Sequence, residues 1–92
     1  MAVLVTSEVP GGDAKQDAAI VESLGLTQNP PKGARMRMAG PTEGGWRIVS
    51  LWDSRELFEA FVAERLAPAL KDAGRPQPNF EFWTVERVDV MA

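Results

Sequence analysis

Histidine, cysteine and tyrosine are all absent from this chain of 92 residues, which leaves tryptophan, arginine, serine and the carboxylates as side chains able to do chemistry. Trp46, Trp52 and Trp83 could line a pocket for a flat or aromatic ligand, because an indole offers a stacking face and one oriented N–H donor. Core packing accounts for them just as simply, since burying one such side chain contributes on the order of 3 kcal/mol. Trp52, directly before a helix-start signal, is the one most readily read as packing. Arg35 and Arg37 alternate along the chain, and with Arg47 they could hold a carboxylate or enolate through charge-assisted hydrogen bonds. A solvated strand edge or a rim of ion pairs between subunits would use the same arginines, each pair contributing about 0 to 1 kcal/mol. Ser50 is polar within an apolar run, so its hydroxyl either points into a cavity or is satisfied locally. The candidate ligand-contacting residues are therefore Trp46, Trp83, Arg37, Ser50 and Trp52.

Acid–base catalysis near neutral pH ordinarily recruits histidine. Without it a carboxylate must have its pKa raised by burial, or an ordered water must serve, and nothing in the sequence distinguishes Glu43, Glu81 or Glu86 for that task. No catalytic residue is assigned. With neither histidine nor cysteine, and with no Asp-x-Asp cluster, no metal site is expected.

A chain of this length is expected to form one domain, residues 1–92, and to bury only about 60 to 65 per cent of its unfolded surface, so a partner subunit would help it. A hydrophobic content of 45% with 25% charged residues argues for a soluble globular protein. A net charge of -3 disfavours binding to a phosphate backbone, and nucleic acid is not an expected partner. The first eight residues lack a basic region and a long apolar run, so they read as neither a signal peptide nor a membrane span. The lack of cysteine fits a reducing compartment, and a cytoplasmic location away from membranes is the expectation.

Residues 2–8 have the composition of a strand closed by Pro10-Gly11-Gly12. Asp13 and Gln16 form a capping box for a helix over 13–24, whose apolar stripe is Ala18, Ile20, Val21 and Leu24 and whose end is marked by Gly25. Asn29-Pro30-Pro31 cannot continue it. Arg35-Met36-Arg37-Met38 alternates as an edge strand, with both arginines on one side, and the chain turns over 40–45. Trp46 to Trp52 is apolar on both faces and reads as a central strand. Asp53 with Glu56 makes a second capping box, opening a helix whose apolar positions are Leu57, Phe58, Phe61, Val62, Leu66, Ala69 and Leu70. Pro68 should kink that helix or restart it for a last turn. A final strand is expected over 79–90.

The order is βαββαβ, the α+β ferredoxin-like arrangement: a four-stranded antiparallel sheet, strands one and three central, with two helices on one face. The uncovered face would be a large apolar patch, which predicts a homodimer. Trp46, the Leu51-Trp52-Asp53-Ser54 junction, Phe58, Phe61 and Leu66-Ala67-Pro68-Ala69-Leu70 give the chain a pattern that resembles the dimeric α/β-barrel superfamily, which includes antibiotic-biosynthesis-monooxygenase-like domains. The resemblance spans nearly the whole chain. It implies two sheets forming a barrel, a pocket between each sheet and its helices, and an activity like that of cofactor-independent monooxygenases on small aromatic or polyketide-type molecules. The superfamily also holds non-enzymes, so a non-catalytic ligand-binding or assembly module is the alternative. No cofactor is expected: the missing histidine removes the usual axial ligand for haem, which makes haem-degrading relatives a poor guide.

Overall fold

The computed structural model describes residues 1–91. Strand β1 (Ala2–Pro10) leads to helix α1 (Ala14–Leu24), strands β2 (Ala34–Thr42) and β3 (Gly45–Trp52), a helical stretch, and strand β4 (Asn79–Val85). The sheet is fully antiparallel in the order β2-β3-β1-β4, so the two strands expected at the centre are there. No helix among the described residues is long and apolar enough to cross a membrane.

Local chemistry sets each helix boundary. The Asp13 carboxylate accepts the Gln16 N–H at 2.8 Å, and Gly25 takes the left-handed conformation (φ 63°) that closes α1. At the second helical stretch the cap is Ser54, whose hydroxyl accepts the Leu57 N–H at 3.2 Å. Asp53 is engaged elsewhere, by Arg35, and so does not cap. The stretch runs as α2 (Arg55–Phe61), one π turn (Val62–Leu66) and α3 (Ala67–Asp72). Pro68 has no N–H to donate to Glu64, and the widened turn directly before it lets the chain continue past its ring without a break.

Three strand limits differ from expectation. The β2–β3 turn contracts to Glu43-Gly44, because Pro41 on the edge strand needs no ladder donor and pairs opposite Trp46. Strand β4 stops at Val85, leaving Val88, Val90 and Met91 exposed. A bulge between Ala34 and Met36 makes Arg35 a surplus residue, outside the register that sets Arg37 opposite Ser50.

One face of the sheet carries Val3, Val5, Ser7, Ser50, Trp52, Phe80 and Phe82 toward the helices. The core is concentrated under α2, where Val3, Val5, Trp52 and Phe58 are buried. Phe58 meets Trp52, Phe80 and Phe82 edge-on, at centroid distances of 5.2, 5.0 and 5.7 Å. The other face presents the cross-strand row Met36, Leu51, Leu4 and Trp83, with Met38 and Val49 beside it. No helix among the described residues covers it.

Candidate functional site

Between the helix-side face of the sheet and the underside of α1 lies a cavity of about 650 Å³, a size typical of small-molecule sites. Helix α1 roofs it without sinking into the core: none of its residues is buried, and Gln16, Asp17, Ile20 and Leu24 line the space beneath it. The floor is β3, contributing Trp46, Ile48, Ser50 and Trp52, while Phe58, Phe61, Leu66 and Leu70 close one side.

Two arginines hold the roof. Arg37, on the helix side of β2, grips the Asp17 carboxylate with both terminal nitrogens; Nη1 donates to Oδ2 at 3.1 Å and Nη2 donates to Oδ1. Arg65, carried on the π turn, donates to the carbonyls of Leu24 at 2.5 Å and Asn29 at 3.0 Å. The first contact anchors the early part of α1, and the second satisfies a carbonyl that the helix end leaves without a partner.

Inside, the Trp52 indole N–H donates to Ser50 Oγ at 2.9 Å, which fixes both side chains in the cavity floor. Trp52 is both a core residue and part of the wall. The Trp46 indole nitrogen is covered and has no acceptor among the described residues, a condition that ordinarily costs about 1 to 3 kcal/mol. The approach of the β1–α1 loop to Trp46 depends on Gly12, where a Cβ would lie 3.0 Å from Trp46 Cβ and 2.8 Å from Val9 Cγ1.

Trp46, Ser50, Trp52 and Arg37 are thus brought to one cavity. Trp83 is not: it stands on the bare face in register with Leu4, about half exposed (49%). The other two arginines bind other carboxylates, although Arg35 also lines the cavity. Arg47 projects to the bare face and pairs with Glu8, and Arg35 pairs with Asp53 at 2.6 and 3.2 Å. The hydrogen bond to Asp53, and then its charge, raise the Arg35 guanidinium above its usual pKa. Asp17 and Arg65 escaped sequence reading. An acidic residue in a first helical turn reads as ordinary compensation of the helix dipole, and a lone arginine on an amphipathic helix gives no sign that it reaches back 41 residues to Leu24. Among the described residues no cluster of three potential metal ligands forms.

No family model matches the chain, and no curated protein sequence does. Solved structures do resemble it. A single-residue variant of SnoaB, a cofactor-independent oxygenase from Streptomyces nogalater, superposes with a TM-score of 0.62 at 10% identity, covering 95% of this chain and 94% of that one. A Deinococcus radiodurans protein provisionally named an antibiotic biosynthesis monooxygenase gives 0.58 at 15% identity, with both chains fully covered. A single-residue variant of MhuD, bound to two manganese protoporphyrin IX molecules per active site, gives 0.57 at 17%, again over both full chains. At these identities the likeness is one of architecture, and it establishes that the chain has the ferredoxin-like fold these monooxygenase-like proteins share.

Proposed function

We propose that this chain is a small homodimeric pocket protein, acting in the cytoplasm as a monooxygenase-like enzyme on a flat aromatic or polyketide-type molecule, without a cofactor. The observation that carries this reading is the roofed cavity itself, floored by Trp46 and Trp52 and of a size to enclose such a ligand. Indole faces hold a planar body by stacking, and a largely apolar lining reduces the water beside a reactive intermediate. The chemistry then rests on the substrate: an electron-rich phenolic anion reacts with dioxygen, and the protein positions the two. Lacking histidine, cysteine and tyrosine, the chain offers none of the usual proximal ligands of haem iron, so the porphyrin held by MhuD is a poor guide to its ligand.

Oxygen uptake measured alongside tryptophan quenching, over a panel of polycyclic phenols, tests the proposal. Saturable quenching with matched oxygen consumption is expected. Quenching without consumption would support a second reading, a non-catalytic binding module; the pairing of Arg37 with Asp17 at the cavity favours that reading, because it engages the Asp17 carboxylate that could otherwise serve as a base there. Absence of both signals would reject the pocket.

Homodimerisation through the bare face is part of the same proposal. Leu4, Met36, Met38, Val49, Leu51 and Trp83 form an apolar surface of the kind that a second copy covers. Leu51→Lys should shift the protein to monomers in sedimentation, since an unpaired buried ion costs several kcal/mol. A fully dimeric variant would place the interface elsewhere.

A further inference from the structure

Six charged residues line the cavity: Glu8, Asp13, Asp17, Arg35, Arg37 and Arg75. Five are engaged. Glu8 pairs with Arg47, Asp13 caps α1, Asp17 and Arg37 bind each other, and Arg35 holds Asp53. Arg75 forms no ion pair with any described residue. It opens the segment Arg75-Pro76-Gln77-Pro78, which joins α3 to β4 and lies along the cavity, and its backbone N–H is tied to the Leu70 carbonyl at 2.8 Å. Arg75, an exposed residue, is therefore the one charged side chain lining the cavity that neither pairs nor caps among the described residues, on a chain whose net charge is -3. Two prolines fix φ along this strap, which lowers the entropy lost when its side chains engage a ligand.

We propose that Arg75 docks the single oxyanion of an otherwise apolar ligand whose body fills the cavity against Trp46 and Trp52. This rests on the pocket reading above and adds the ligand's charge and its orientation. A solvent-exposed guanidinium on a residue that lines an apolar cavity can still meet a carboxylate or phenolate with paired charge-assisted hydrogen bonds. Arg37, the arginine singled out by its spacing in the sequence, is unsuited to that role. Recruiting it would strip the partly buried Asp17 of its partner and release the roof.

The test uses Trp83→Phe as the background, so that fluorescence reports only Trp46 and Trp52. Naphthoate, naphthamide and naphthylmethylammonium share one apolar body and differ in charge. Naphthoate should bind about fivefold to tenfold more tightly than naphthamide at low salt, with the ammonium weakest and the preference shrinking at high salt. Arg75→Gln should equalise naphthoate and naphthamide while leaving naphthamide binding unchanged, and Arg75→Lys should keep most of the preference. Equal binding of naphthoate and naphthamide before any change at Arg75 would overturn the assignment. So would a preference that survives Arg75→Gln. In each of those cases naphthamide still binds, and the pocket stands. Failure of all three probes to quench would instead remove the pocket and this proposal together.

Discussion

The two helical layers over one sheet face have opposite characters. Under α2 the sheet is sealed by Phe58, which is nearly inaccessible (4%) and makes edge contacts to three other rings. Under α1 there is a cavity, and no residue of the helix above it is fully buried. The difference follows from side-chain supply. The second helical stretch turns Leu57, Phe58, Phe61 and Val62 inward, whereas the cavity side of α1 offers Gln16, Asp17, Ile20 and Leu24, two of them polar. A helix with so little apolar surface to bury gains little by collapsing, and two arginines hold it where it stands. Stability is concentrated on one half of the layer and space on the other.

Substitutions on the two sides should separate that contrast. Phe58→Ala should cost about 3 to 5 kcal/mol in denaturant titration, through lost burial and a cavity its neighbours cannot fill. A loss below about 1 kcal/mol would show that the dense half is not the source of stability. Arg65→Ala should cost about 1 to 2 kcal/mol, because it leaves the Leu24 and Asn29 carbonyls without their donor. Hydrogen exchange should quicken at the end of α1 while β1 and β3 stay protected, and uniform acceleration would mean that the roof is not a separate unit. A double-mutant cycle on Arg37→Gln and Asp17→Asn should give a coupling of about 1 kcal/mol, weakened by salt; a value near zero would leave the first strut without effect. Ile20→Ala should be the mildest, at about 0.5 kcal/mol, since the space beneath it is already open. A cost matching that of Phe58→Ala would mean that α1 packs as firmly as α2.

Elements whose patterning is local were legible in the sequence. The Asp13 cap, the Gly25 stop and the apolar alternation of Trp46 to Trp52 are each decided by neighbours a few residues away. That the four β3 residues of the cavity, Trp46, Ile48, Ser50 and Trp52, share a face follows from their period-two spacing alone. Features set by distant partners were not legible. Asp53 and Ser54 are adjacent and both suited to capping; the choice fell to Ser54 because a bulge swings Arg35 onto Asp53. That same bulge gives two arginines whose spacing predicts a shared role different partners, Asp53 for Arg35 and Asp17 for Arg37. Trp83 is placed outside the cavity by simple parity, since residues 80 and 82 take the helix side and 83 must point away. The standoff of α1 depends on Arg65, on another helical segment, and no pattern around Arg65 announces it.

The π turn before Pro68 settles one more matter. Phe58 and Leu70 are the two buried residues of that helical stretch. Twelve residues apart, they would sit about 120° from each other around an uninterrupted α-helix, too far to serve a single wall. A turn that absorbs one surplus residue removes about 100° of that angle and brings both to nearly the same azimuth. The wide turn is thus a phase corrector, and it keeps Leu70 on the wall that Phe58 begins.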